Sequence, residues 1–79
     1  MTSVDSRLRQ IMASVLEVDE SELSDDADMN TIDSWRSLNH LSLMLALEEE
    51  FGVRFPEHQI AELTSVQSLR DALASMTTR

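Results

Sequence analysis

Few side chains here offer reactive groups, and the serines matter most. There is no cysteine, so no disulfide, no thiolate nucleophile and no thiolate metal site is built from this chain. His40 and His58 are isolated. Neither sits at a spacing that would complete a Ser–His–Asp triad or a metal site, and both are read as surface histidines. Asp26, Asp28 and Asn30 match the first three ligand positions of an EF-hand calcium loop. The match then fails: the sixth position, which needs glycine for its sharp turn, is Thr31, and the twelfth, which needs a bidentate glutamate, is Ser37. At most a loose screening of crowded acids by divalent cations is expected there. Ser37 is different, because it stands at the start of a strongly apolar run. A serine at a helix start serves as an N-cap, its oxygen accepting a hydrogen bond from a first-turn amide, worth about 1 kcal/mol. The same place also suits a phosphate ester, which would meet free amides and the positive end of the helix dipole. Ser34 is a second candidate, three residues out of register with the helix.

The element that must position Ser37 spans residues 33–56, DSWRSLNHLSLMLALEEEFGVRFP. Gly52, the only glycine, marks the helix end, since glycine enters the left-handed region without steric cost. The run is too apolar to bury a single stripe. Leu38, Leu41 and Leu45 share one face by their i, i+3, i+7 spacing, while Leu43, Met44 and Leu47 share another. One face packs inward, and an apolar face left in water usually marks a docking surface.

The remaining elements follow from the same periodicity. Val4, Leu8, Ile11, Met12, Val15 and Leu16 predict an amphipathic helix over residues 3–16, capped by Ser3 or Asp5, with Arg7, Arg9 and Gln10 on the solvent side. Residues 17–34 form a long polar connection, pinned across the fold by Val18, Leu23, Met29 and Ile32, with a short helical turn around residues 21–23. Val53 folds back on Leu47 after the glycine stop, and Pro56 suits the first turn of a short third helix over residues 57–63. Thr64 and Gln67 fit a capping box for a fourth helix, whose inward stripe is Val66, Leu69, Leu73 and Met76. Four helices with one long connection make an all-α bundle.

Size and charge narrow the function. Seventy-nine residues make one domain, spanning 1–79, with little room for a catalytic cavity. Fifteen acids against six bases give a net charge of −9, which disfavours nucleic acid and anionic membranes and favours partners with basic patches. The acids also keep a small apolar bundle soluble. No apolar run is long enough for a signal peptide or a membrane span, so a cytoplasmic monomer is expected.

The phrase WRSLNHLSLMLALEEEFGVRFP resembles the acyl carrier protein family, in which a serine in a D-S-L setting opens the second helix and a phrase like ALEEEFGV closes it. The resemblance runs over residues 8–73. It implies a four-helix bundle of acyl-carrier type with a long first loop and a short third helix. It implies that Ser37 carries 4′-phosphopantetheine, transferred from coenzyme A by a holo-acyl-carrier-protein synthase or another phosphopantetheinyl transferase. It further implies that Leu43, Met44 and Leu47 face the core. Leu38, Leu41 and Leu45, with Glu48 and Glu49, would then face acyl-loading and acyl-using enzymes. The chain would be a carrier and not an enzyme, holding acyl groups as thioesters on the arm, with a shallow cleft between helices sheltering a short chain. Arg36 departs from the pattern, standing where the family usually has aspartate. It would either pair with the phosphodiester or demand a dedicated synthase. Asn39, His40 and Ser42 also stand where carriers of fatty acid synthesis often show acids, which suggests a specialised partner set. Trp35 is expected to cover the bundle end beside Ser37. Fatty acyl, aminoacyl, polyketide and lipid-A-type cargoes all fit. The reading from another class is an unmodified acidic helical module whose apolar face binds a partner.

Overall fold

The computed structural model describes residues 3–77. Among them the architecture is all-α, with four helices: α1 (Val4–Leu16), α2 (Ser37–Phe51), α3 (Glu57–Glu62) and α4 (Val66–Thr77). A 3-10 turn, Glu20–Glu22, sits in the long connection between α1 and α2. Ser3 caps α1, its oxygen accepting from the Ser6 amide at 3.1 Å. Leu8, Met12 and Leu16 of α1, Leu43, Met44 and Leu47 of α2, and Val66, Leu69 and Leu73 of α4 meet in one core. Each set recurs every three or four residues, the period that places side chains on one helix face. At α2's end Gly52 adopts φ 65° and ψ 38°, and the Val53 amide donates to the Glu48 carbonyl at 3.1 Å. Open space surrounds Gly52, so its requirement is the backbone angle alone.

Residues 17–36 are tied to the bundle at several points. Leu23, Ala27, Ile32 and Trp35 are buried, and Val18 and Met29 pack half-buried against the same core. The Met29 amide donates to the Thr64 carbonyl and the Val66 amide to the Ala27 carbonyl, both at 3.0 Å, stapling the loop to the start of α4. The Arg9 guanidinium donates to the Leu23 carbonyl and pairs with Asp5 at 3.1 Å and Asp25 at 2.6 Å. Arg70 reaches the same Asp25 oxygen from α4 at 2.8 Å. Asp25 is therefore held below the usual carboxylate range, first by its hydrogen bond and charge attraction to Arg70, then by those to Arg9. Arg9 thus straps the loop to α1, where the periodicity had placed it on a plain solvent face.

Two caps differ from expectation. The box that opens α4 is Ser65 with Ser68, not Thr64 with Gln67: the Ser68 amide donates to Ser65 Oγ and the Ser65 amide to Ser68 Oγ, each at 3.1 Å. The Thr64 carbonyl is taken by the loop staple, which shifts the cap one residue on. Pro56 lies at the N-cap of α3 rather than inside its first turn. Its carbonyl accepts from the Gln59 amide at 2.9 Å.

Candidate functional site

α2 begins at Ser37, with Arg36 in the cap position in extended backbone (φ −111°, ψ 174°), and no side chain caps this end. Ser37 is therefore the first helical residue and not the N-cap that its residue type suggested. The first backbone bond of the helix runs from the His40 amide to the Arg36 carbonyl at 2.6 Å, which leaves the amides before it free for an external acceptor. Ser37 is exposed. Ser34 differs in kind: its hydroxyl oxygen is buried without a hydrogen-bond partner, and its carbonyl accepts from the Asn39 side-chain amide at 2.7 Å. Arg36 is exposed, and its Nε donates to the Asp33 carbonyl at 3.0 Å, so the guanidinium folds back over the loop beside the serine.

The two faces of α2 separate as the spacing predicts. Leu43, Met44 and Leu47 are buried, whereas Leu38, Leu41 and Leu45 are 76%, 51% and 63% exposed. They form an apolar stripe descending from Ser37. The acids at the far end are partly engaged. Glu48 accepts from the Phe55 amide at 2.8 Å, ordering the turn after Gly52. Glu50 pairs with Arg7, whose guanidinium also lies 4.7 Å from the centroid of the Phe51 ring, a cation–π contact. Glu49 is exposed. In the calcium-like loop one oxygen of Asp28 accepts from the amides of Asn30 at 2.8 Å and Thr31 at 3.0 Å, so it serves the turn.

His40 is not a surface residue. It is 5% exposed, and both ring nitrogens are bonded. Trp35 Nε1 donates to Nδ1 at 2.9 Å, and Nε2 lies 2.6 Å from the Ile60 carbonyl of α3. Trp35 lies in the core with its ring centroid 6.0 Å from that of the imidazole. The signal was present in the spacing: positions 40, 43, 44 and 47 share a face, and three of them were already assigned inward. Next to this pair, Ser37, His40 and Leu41 of α2 face Glu57, Ile60 and Ala61 of α3 across a groove of about 390 Å³ that Met29 and Thr64 also line.

Two comparisons bear on this arrangement. A family model described as a phosphopantetheine attachment site matches residues 6–73. A curated relative, polyketide-8 synthase acyl carrier protein 2 from Streptomyces avermitilis, is 37% identical over 75 residues, covering 94% of this chain and 86% of the relative. The chain belongs to the phosphopantetheine-attachment family, and within it to the acyl carrier proteins. It is a carrier, not an enzyme. It bears 4′-phosphopantetheine covalently, and its partners are a phosphopantetheinyl transferase and biosynthetic enzymes. The alternative, an unmodified interaction module, is not favoured by these matches. Among the described residues no helix is long and apolar enough to cross a membrane.

Proposed function

We propose that Ser37 is the attachment point and that the cargo is of polyketide type. One observation carries the first part: the exposed serine at the uncapped start of α2 stands where the chain offers a hydroxyl and free amides together. The Ser37 oxygen attacks the pyrophosphate of coenzyme A at the phosphorus bearing pantetheine. The new Ser37–O–P bond forms as the bond to 3′,5′-ADP breaks, and the serine proton passes to a base on the transferase. The resulting phosphodiester sits against the first amides of α2 and the positive end of its dipole, and Arg36 swings from the Asp33 carbonyl to pair with it. The arm supplies the thiol that this cysteine-free chain lacks, and holds the acyl group as a thioester. Leu38, Leu41 and Leu45, rimmed by Glu48 and Glu49, form the face read by partner enzymes with basic patches. The groove between α2 and α3 shelters a short chain. The polyketide assignment rests on the similarity to the Streptomyces avermitilis carrier. The protein acts as one cytoplasmic monomeric domain.

Intact mass after incubation with coenzyme A and a broad-range transferase tests the attachment. The expected result is a gain of one phosphopantetheine, abolished by Ser37→Ala and kept in Ser34→Ala. A gain that survives Ser37→Ala would move the tether elsewhere.

A further inference from the structure

The groove beside Ser37 has a feature that its role as a shelter does not require. Its inner wall on α2 is a buried imidazole. An indole N–H only donates and a carbonyl only accepts. With Trp35 donating to Nδ1 and the Ile60 carbonyl 2.6 Å from Nε2, the ring accepts at Nδ1 and donates from Nε2. One side chain thereby joins the end of the long loop, the first turns of α2 and the middle of α3. The link matters because α3 is otherwise lightly held. It has six residues, no side-chain cap at its start and no fully buried residue. Its apolar contribution comes from the half-buried Ile60, with Leu63 just after it. A directional bond from His40 thus reaches α3 beside the groove, in addition to the apolar packing.

We propose that His40 determines the class of acyl group this carrier accommodates. By fixing α3 against α2 it stops the groove at a shallow depth. A short acyl group lies along the wall, whereas a long alkyl tail would have to enter the space that the imidazole occupies and break both of its hydrogen bonds. That loss leaves the Trp35 indole N–H buried without an acceptor. Long tails therefore stay outside the protein and short ones dock. The proposal rests on Ser37 being the tether. It makes His40 a specificity-determining residue with no part in bond making.

The test uses full-length protein loaded from acetyl- or octanoyl-coenzyme A, with loading read by intact mass and stability by melting midpoint. A chain that docks in the folded state alone raises the midpoint. The native octanoyl form is expected to melt no higher than the native acetyl form. In His40→Ala and in His40→Val the octanoyl form is expected to melt several degrees above its own acetyl form, whatever the variant's starting stability. His40→Val keeps an apolar side chain in the core should the alanine variant not fold. His40→Gln, whose amide accepts from Trp35 and donates to Ile60, is expected to behave like the native protein. A native octanoyl form stabilised as much as in the variants overturns the proposal, as do His40→Ala and His40→Val proteins blind to chain length. Absence of any mass gain at Ser37 removes the tether and the proposal together, whereas full loading with length-blind melting of the His40→Ala and His40→Val proteins removes only the role of His40.

Discussion

At the scale of single residues, the first turn of α2 sorts its polar groups into those that act outward and those that act inward. Ser37 and Arg36 are exposed, while Ser34 Oγ and the His40 ring are buried. Arg36 is the cation that the helix dipole disfavours at this end, by a few tenths of a kcal/mol, and a phosphodiester on Ser37, as proposed, would reverse that sign. Arg36→Asp is therefore expected to stabilise the unmodified protein slightly and the modified one less. If the transferase reads an acid at this position, the variant will also be modified faster. Paired melting curves and a mass-resolved time course measure the two effects, and equal modification rates would show that residue 36 is no gate. The outward set was legible in the sequence, because Ser37 opens an apolar run and the resemblance fixes its register. The inward set was not. The partners of His40 are an indole five residues earlier and a carbonyl twenty residues later, and no local spacing brings them together.

At the scale of elements, α2 works as a two-sided helix. Its hidden leucines and its exposed ones have similar side chains, and only their angle about the helix axis separates them. Leu43→Ala is expected to cost about 2–5 kcal/mol in chemical denaturation, as for buried leucines generally. Leu41→Ala should stay within about 0.5 kcal/mol of the native protein, yet weaken the KM of partner enzymes for the holo form. A large stability loss from Leu41→Ala would mean that the stripe is core after all. Helical period separates the two faces in the sequence, and the resemblance to acyl carrier proteins says which of them turns inward. Element ends were harder. The capping box slipped from Thr64 and Gln67 to Ser65 and Ser68 because a hydroxyl at either position satisfies the local rule. The choice was made by the loop staple, which takes the Thr64 carbonyl.

For the whole molecule, the long connection is held by charge as well as by packing. Asp25 joins Arg9 of α1 to Arg70 of α4, and these guanidinium groups lower its pKa from the ordinary 3.8. A carboxyl whose folded pKa lies below its unfolded one contributes stability that is complete above the unfolded value and is lost as pH falls through the folded value. Asp25→Asn is accordingly expected to melt below the native protein at neutral pH. The gap should begin to close as pH drops past 3.8 and vanish below the folded pKa. A gap independent of pH would show that Asp25 acts through hydrogen-bond shape and not charge. The pair is exposed to solvent, so the gap is expected to shrink in high salt. The sequence showed that the loop must be pinned and named four apolar anchors for it. It did not show the arginine strap, because Arg9 and Arg70 sit where an amphipathic pattern simply expects polar residues.

Trp35 is the chain's only tryptophan. Its indole is buried and bonded to an imidazole that lines the groove beginning at Ser37. The molecule therefore contains its own optical probe two positions from Ser37. A cargo that displaced His40 would alter the surroundings of that indole, so native fluorescence reports without a label whether the acyl group stays clear of the imidazole, against a background free of other indoles.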